Sequence, residues 1–400
     1  MMFGDDRAPR TQNWNITIDQ RVGWNSILEL SYQGSRSRDL FLSPNGGGGI
    51  SINNINYIPV GVLFKPDPVN PGSFPNCSLG KAGTTDGKDP NPGQNCSYGG
   101  DTFYCQGTAS TTCIAGAPPS NAIPDFRSWG YNALYLARHG GYSNYNGLLV
   151  QWIKQTGPAV FNVNYTWSHT LGTRIGDNDN GQGSGAALDA FNLRNNYGTL
   201  AFDRRHIFNA AYVINLPRPV HHSLFGEEVV NGWKLSGTMQ YQSGPPLQPL
   251  TGTGLNPSYA GGVNNQSILG TDGIALEPIL TCNPAKGLQS GQYFNPNCFQ
   301  EPSTRGQNGP LIWPNITGPS YFGGDLGMYK DFKVRESQKL QFRFTAFNFL
   351  NHPNRQFGLS DDINLRFSTP GGGNTNLNTN GKAAYTVGNR TIEIALKYLF

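Results

Sequence analysis

The last twelve residues, Asn389 to Phe400, alternate between apolar and polar side chains to the end of the chain. Ile392, Ile394, Leu396, Tyr398 and Phe400 share one face; Thr391, Glu393, Ala395 and Lys397 share the other, and Leu399 alone breaks the polar side. A period of two sends successive side chains to opposite faces of a strand, so one face suits an apolar medium and the other suits water. The same pattern recurs upstream. Trp14, Ile16 and Ile18 oppose Asn15, Thr17 and Asp19, and Trp24, Leu28, Leu30 and Tyr32 oppose Asn25, Glu29, Ser31 and Gln33, which predicts an antiparallel hairpin. Phe161, Val163, Tyr165 and Trp167 oppose Asn162, Asn164, Thr166 and Ser168. Trp233, Leu235, Met239 and Tyr241 oppose Lys234, Ser236, Thr238 and Gln240, and Leu340, Phe342 and Phe344 oppose Gln341, Arg343 and Thr345. Less regular strands are predicted over Ser128 to Arg138 and Tyr145 to Gln155, joined by a Gly and Tyr turn, and over His206 to Leu216 and Asp325 to Arg335. About ten strands result, and a strand of about ten residues crosses a bilayer when tilted.

The connections alternate between short turns and long polar stretches, at about 41–124, 171–200, 243–320 and 359–386. Membrane barrels have this asymmetry, with tight periplasmic turns and long external loops. Tyr and Trp also gather at strand ends (Trp14, Trp24, Tyr32, Trp167, Tyr212, Trp233, Tyr241, Tyr398), as an interfacial aromatic belt requires. The pattern therefore predicts an all-β antiparallel transmembrane β-barrel with a polar lumen wall. The competing class is a surface or secreted β-sandwich adhesin or carbohydrate-binding module, which would bury Ile392, Leu396, Phe161 and Leu235 between two stacked sheets.

Composition narrows the picture. There are 52 Gly, 28 Pro and only 4 Met among 400 residues, poor material for long helices. No run of eighteen apolar residues occurs and mean hydropathy is −0.44, which excludes membrane helices and leaves a barrel open. The net charge of +4 is scattered, so no nucleic-acid partner is expected. The opening MMFGDDRAPR has no basic-then-apolar export signal, so either the chain is not exported or it is a fragment or a truncated gene. Cys77, Cys96, Cys105 and Cys113 allow three pairings without choosing among them, and their spacing does not suit a zinc ribbon. Cys282 and Cys298 are expected to form a local disulfide in an external loop.

Candidate chemistry is sparse. Asp177, Asp179 and Gly181 resemble the start of a calcium loop, but Leu188 stands where the bidentate Glu belongs, so a polar turn is the better reading. Asp203, Arg204, Arg205 and His206 form the most charged cluster beside a strand and are expected to pin a strand entry at a periplasmic turn. His221 and His222 are adjacent and would point to opposite strand faces, and Asn348, Asn351, His352 and Asn354 around Pro353 read as turn chemistry. No nucleophile, metal or phosphate-binding motif appears, so no catalytic residue, cofactor or metal is expected.

Several stretches resemble the C-terminal barrel of TonB-dependent outer-membrane receptors, in particular the Oar-like group: NWNITIDQRVGWNSILELSYQGSRSRDL, SNYNGLLVQWIKQ, FNVNYTWSHTL, FDRRHIFNAAYVINLP, KLQFRFTAFNFLNHPN and the closing strand. The resemblance implies part of a larger barrel of about 22 strands and uptake of a nutrient across the outer membrane. It implies outer-membrane lipid and the barrel assembly machinery as partners, with the terminal Phe400 resembling the assembly signal. The TonB energy-coupling system would be reached only through an N-terminal region that these residues do not match; nothing here resembles the plug.

Overall fold

The computed structural model describes residues 7–42, 57, 59–61, 96–98, 101–103, 138–173, 188–221, 224–247, 256–259, 265–271, 273–313, 316–335, 338–357, 360–369 and 371–400. Nine long strands follow one another across a single antiparallel sheet: β1 (Arg10–Val22), β2 (Ser26–Leu42), β3 (Arg138–Lys154), β4 (Ala159–Thr173), β5 (His206–Asn215), β6 (Lys234–Gln242), β7 (Tyr321–Arg335), β8 (Gln338–Phe347) and β9 (Thr391–Leu399). A short tenth strand, Tyr197–Thr199, pairs with the end of β4. Each strand neighbours the next in sequence, and the sheet is open, with β1 and β9 as its two edges.

The registers carry the alternation from strand to strand. Ile16 sits opposite Tyr32, Tyr32 opposite Leu148, and Leu148 opposite Trp167. Further along, Tyr212 faces Phe161, Leu235 faces both Ile214 and Met328, and Phe344 joins Met328 to Ile394. Directly opposed residues share a face, so the apolar residues of all nine strands form one continuous band. On β7 the band runs from Phe322 to Phe332. Ten residue steps at ~3.3 Å, inclined by about 40°, give a height of about 25 Å, that of a barrel's lipid-facing belt. Ile392 and Leu396 are 52% and 66% exposed, Phe161 and Leu235 are partly exposed, and no second large sheet stacks on them among the described residues. The apolar side thus faces outward, as a barrel requires and a sandwich does not.

Glycines let aromatic rings lie flat along this band. A Cβ on Gly34 would stand 2.2 Å from the Trp14 ring, and one on Gly237 would stand 2.6 Å from the Tyr212 hydroxyl. One cation interrupts the band. Lys330 lies between Met328 and Phe332 and is 3% exposed; its ammonium donates to the Asn231 carbonyl and sits 5.2 Å from the Phe332 ring centre and 5.9 Å from that of Trp233. The long stem lies in the apolar band while the charge finds a carbonyl at the short-turn end.

The Gly and Tyr turn expected between two strands over 128–155 does not form. Arg138–Lys154 is a single strand that runs through Gly140, Gly141 and Tyr142, and its pairing with β2 slips near Leu40. Beyond the lipid both faces meet water, so the period of two fades there and a glycine pair mimics a turn. The helix Leu224–Val230 between β5 and β6 was also not legible as one.

The long connections lie at one end of the sheet, and two of them, between β6 and β7 and between β8 and β9, fold together as a cap. Leu247, Phe294, Phe299, Trp313, Ile316, Leu365 and Phe367 form its core. Asn256–Ser258 pairs with Asn364–Arg366, and Ile279–Leu280 with Phe299–Gln300. The Cys282–Cys298 disulfide braces this unit, as the sequence leads one to expect, with Cys298 fully buried. Cys77, Cys105 and Cys113 lie outside the described residues, as do Asp177, Asp179, Gly181 and His222; of Cys96 only the backbone, in a short hairpin with Asp101–Phe103, is described.

Candidate functional site

The polar face is the inner one. A cleft of about 600 Å³ on it is lined by Ile153 of β3, Asn162 of β4, Val213 of β5, Thr238 of β6, Tyr329 of β7 and Thr345 of β8. Side chains from six consecutive strands converge on one space only on the concave side of a curled sheet. Hydrogen bonds along and across the strands tie this wall together. Gln151 Nε2 and Asn164 Nδ2 both donate to Asn162 Oδ1, at 3.2 and 3.1 Å. Gln341 Nε2 donates to Asp331 Oδ1 at 2.8 Å, and Arg343 Nε donates to Gln341 Oε1 at 2.5 Å. Such side chains present many hydrogen-bond donors and acceptors to the space they line.

At the long-loop end the wall meets the cap around the charged cluster singled out in the sequence. Asp203 is 4% exposed; its carboxylate accepts from the Thr170 N–H at 2.6 Å and lies 3.3 Å from His169 Nδ1 and 3.5 Å from Arg205 Nε. Arg204 turns away to donate to the Ala201 and Asp203 carbonyls, and burial lowers its pKa while the Asp203 charge opposes that shift. His206 Nδ1 and the Tyr165 hydroxyl are 2.8 Å apart. The cluster does pin the entry of a strand, β5, but at the long-loop end. The expected periplasmic position is corrected because β5 runs away from the long connection that precedes it and toward the short-turn end. Asp203→Ala would strand the Thr170 N–H, the His169 ring and the Arg205 guanidinium. It should cost about 1–3 kcal/mol locally, seen as faster amide exchange over 168–173 and 197–206, whereas unchanged exchange would deny the cluster this role.

A second cavity of about 600 Å³ lies between this cluster and the cap, lined by Asp203, Arg205, His206 and Ser243 on one side and by Pro246, Trp313 and Ile316 on the other. Trp313 is 1% exposed, and its indole N–H has no acceptor among the described residues. Sequence reading missed Trp313, since a lone Trp in a Pro- and Asn-rich stretch carries no periodic signal. Deeper in the cap, burial and then the charges of Glu277 and Glu301 hold the Tyr259 hydroxyl well above its ordinary range. It therefore stays protonated and donates to the Leu276 carbonyl at 3.0 Å.

Asn348, Asn351 and Asn354 supply turn geometry after β8. Asn348 and Asn351 adopt positive φ, and Asn354 holds both the N–H and the carbonyl of Phe322. Among the described residues no group of three His, Cys, Asp or Glu side chains converges as metal ligands.

A nine-strand-wide wall, apolar outside and polar inside, with tight turns at one end and a folded cap at the other, defines a membrane β-barrel. The chain belongs to the outer membrane β-barrel domain family, whose model matches residues 4–392, and it resides in the outer membrane. No curated protein matches it. Among solved structures it is similar to the outer membrane transporter YddB from Escherichia coli, at 9% identity and a TM-score of 0.39. The match covers 100% of this chain and 33% of that one, so the chain spans about a third of that protein's length.

Proposed function

We propose that this chain forms part of the wall and the extracellular cap of a TonB-dependent receptor of the Oar-like group, which takes up a bulky nutrient across the outer membrane. The observation that supports the reading is the row of hydrogen-bonding side chains along the inner face, among them Gln151, Asn162, Asn164, Asp331, Gln341 and Arg343, beneath a disulfide-braced cap: a wall that only anchored an adhesive surface would have no use for them on its concave side. In this reading the cap and the cavity at Trp313 meet the solute first, the inner wall accommodates its passage, and no bond in the solute is made or broken. Coupling to the inner-membrane energy source runs through a region outside these strands. Phe400, 94% exposed and ring-to-ring with Tyr398, is where the assembly machinery takes hold.

The test is uptake by intact cells. Cells lacking the protein should lose accumulation of one compound from a panel of bulky nutrients, and a protonophore should abolish the same uptake in wild-type cells. Uptake that survives deletion, or that continues after the proton gradient collapses, would overturn the reading.

A further inference from the structure

On the outward face of β1 and β2 the residue type changes abruptly with height. Toward the long-loop end, Ile18, Ile16 and Trp14 of β1 give way to Gln12 and Arg10, and Leu30 and Tyr32 of β2 give way to Gly34, Arg36 and Arg38. The register sets Trp14 against Gly34, Gln12 against Arg36 and Arg10 against Arg38. The basic side chains therefore begin two residues above the aromatic belt, about 7 Å along the strand.

These arginines border a recess of about 770 Å³, lined also by Trp14, Tyr142, Arg194 and Tyr197. Arg36, Arg38 and Arg194 are all exposed. Arg36 and Arg38 make no hydrogen bond or ion pair with any described residue, while Arg194 is presented by the turn that Asn192 caps through the Arg194 N–H at 3.1 Å. Tyr142 and Tyr197 stack with centroids 5.2 Å apart and planes 17° apart, and the Tyr197 hydroxyl donates to Asn144. Asp39 is the one carboxylate among the described lining residues, and it is already engaged by Arg10 at 3.0 Å and Arg7 at 3.7 Å. The recess therefore holds a surplus of positive charge from two separate elements, β2 and the turn at 193–196, beside a flat aromatic wall.

We propose that this recess binds the phosphate-bearing headgroup of an outer-leaflet lipid. Arg36, Arg38 and Arg194 take the phosphate oxygens, and Trp14 with the stacked tyrosines packs against the sugar and the first carbons of the acyl chains. Guanidinium forks match phosphate geometry and donate two hydrogen bonds at once. Basic residues just outside the apolar band are where anionic headgroups lie. A soluble anion is the poorer occupant because the recess opens on the lipid side, across the wall from the polar inner face. The proposal depends on the outer-membrane location and on no feature of the uptake reading.

The full-length protein, extracted from outer membranes in mild detergent, is assayed for phosphorylated glycolipid carried with it. Wild type should retain it, R36E/R38E should retain at least about tenfold less, R36K/R38K should fall between, and raised salt should strip lipid from wild type by screening. Retention by R36E/R38E equal to that of wild type would overturn the proposal. So would displacement of the lipid by inorganic phosphate at about 10 mM, which would make this a site for soluble anions. Should the double reversal not reach the outer membrane, R36Q/R38Q is read in the same way, because two exposed side chains that lose only their charge leave the strand pairing intact.

Discussion

Phe344→Arg is expected to cost about 2–4 kcal/mol of membrane-folded stability, enough to deplete the assembled protein, whereas Thr345→Arg, one residue away, should be tolerated. Phe344 lies in the middle of the apolar band, opposite Met328 of β7 and Ile394 of β9, so a guanidinium there must sit in hydrocarbon far from either interface. Thr345 points to the other face and lines the inner cleft with Asp325 and Thr238. An arginine there meets water and a nearby carboxylate. Urea titration of the two variants refolded into vesicles measures the difference. Equal losses would mean that the apolar and polar faces do not meet lipid and water as described.

The second large effect concerns the cap. Cys282→Ser with Cys298→Ser releases a loop closed over a separation of 16 residues, for which chain entropy predicts a loss of about 3 kcal/mol. Cys298 is fully buried, so the serine that replaces it also places a hydroxyl where no water reaches it. The loss should be confined to the cap. Limited proteolysis should cut within 281–313 while β6, β7 and β8 stay protected, since those strands are held by their own ladders. Cleavage spreading equally into the strands would show that cap and wall unfold as one unit.

The sheet was legible wherever two solvents act on one strand. Lipid on one side of Phe161, Val163 and Tyr165 and water on the other side of Asn162 and Asn164 impose the period of two directly on the residue choice. β9 and β6 are legible for the same reason. β3 was not, because above the lipid its residues Gly140 to Ser143 meet no such contrast, and glycine there reads as a turn. The cap was invisible for another reason. Phe294, Phe299, Trp313 and Ile316 reach a common core through turns and two-residue strands, so no spacing along the chain announces that they meet. Only the Cys282 and Cys298 pair hinted at folded structure in that stretch. The charged cluster at Asp203 was recognised as a strand-entry device but assigned to the wrong end, since its local sequence carries chemistry and no direction.

Chain direction has one more consequence. Nine long strands that each reverse their predecessor leave β1 and β9 pointing the same way, both descending from the capped end. Sealing those two margins against each other would demand a parallel seam in a class of bacterial walls that is antiparallel throughout and even in number. A second copy set beside the first by rotation about the pore axis meets the same mismatch. A watertight cylinder containing these strands therefore needs an odd complement of additional ones, intercalated between the two margins.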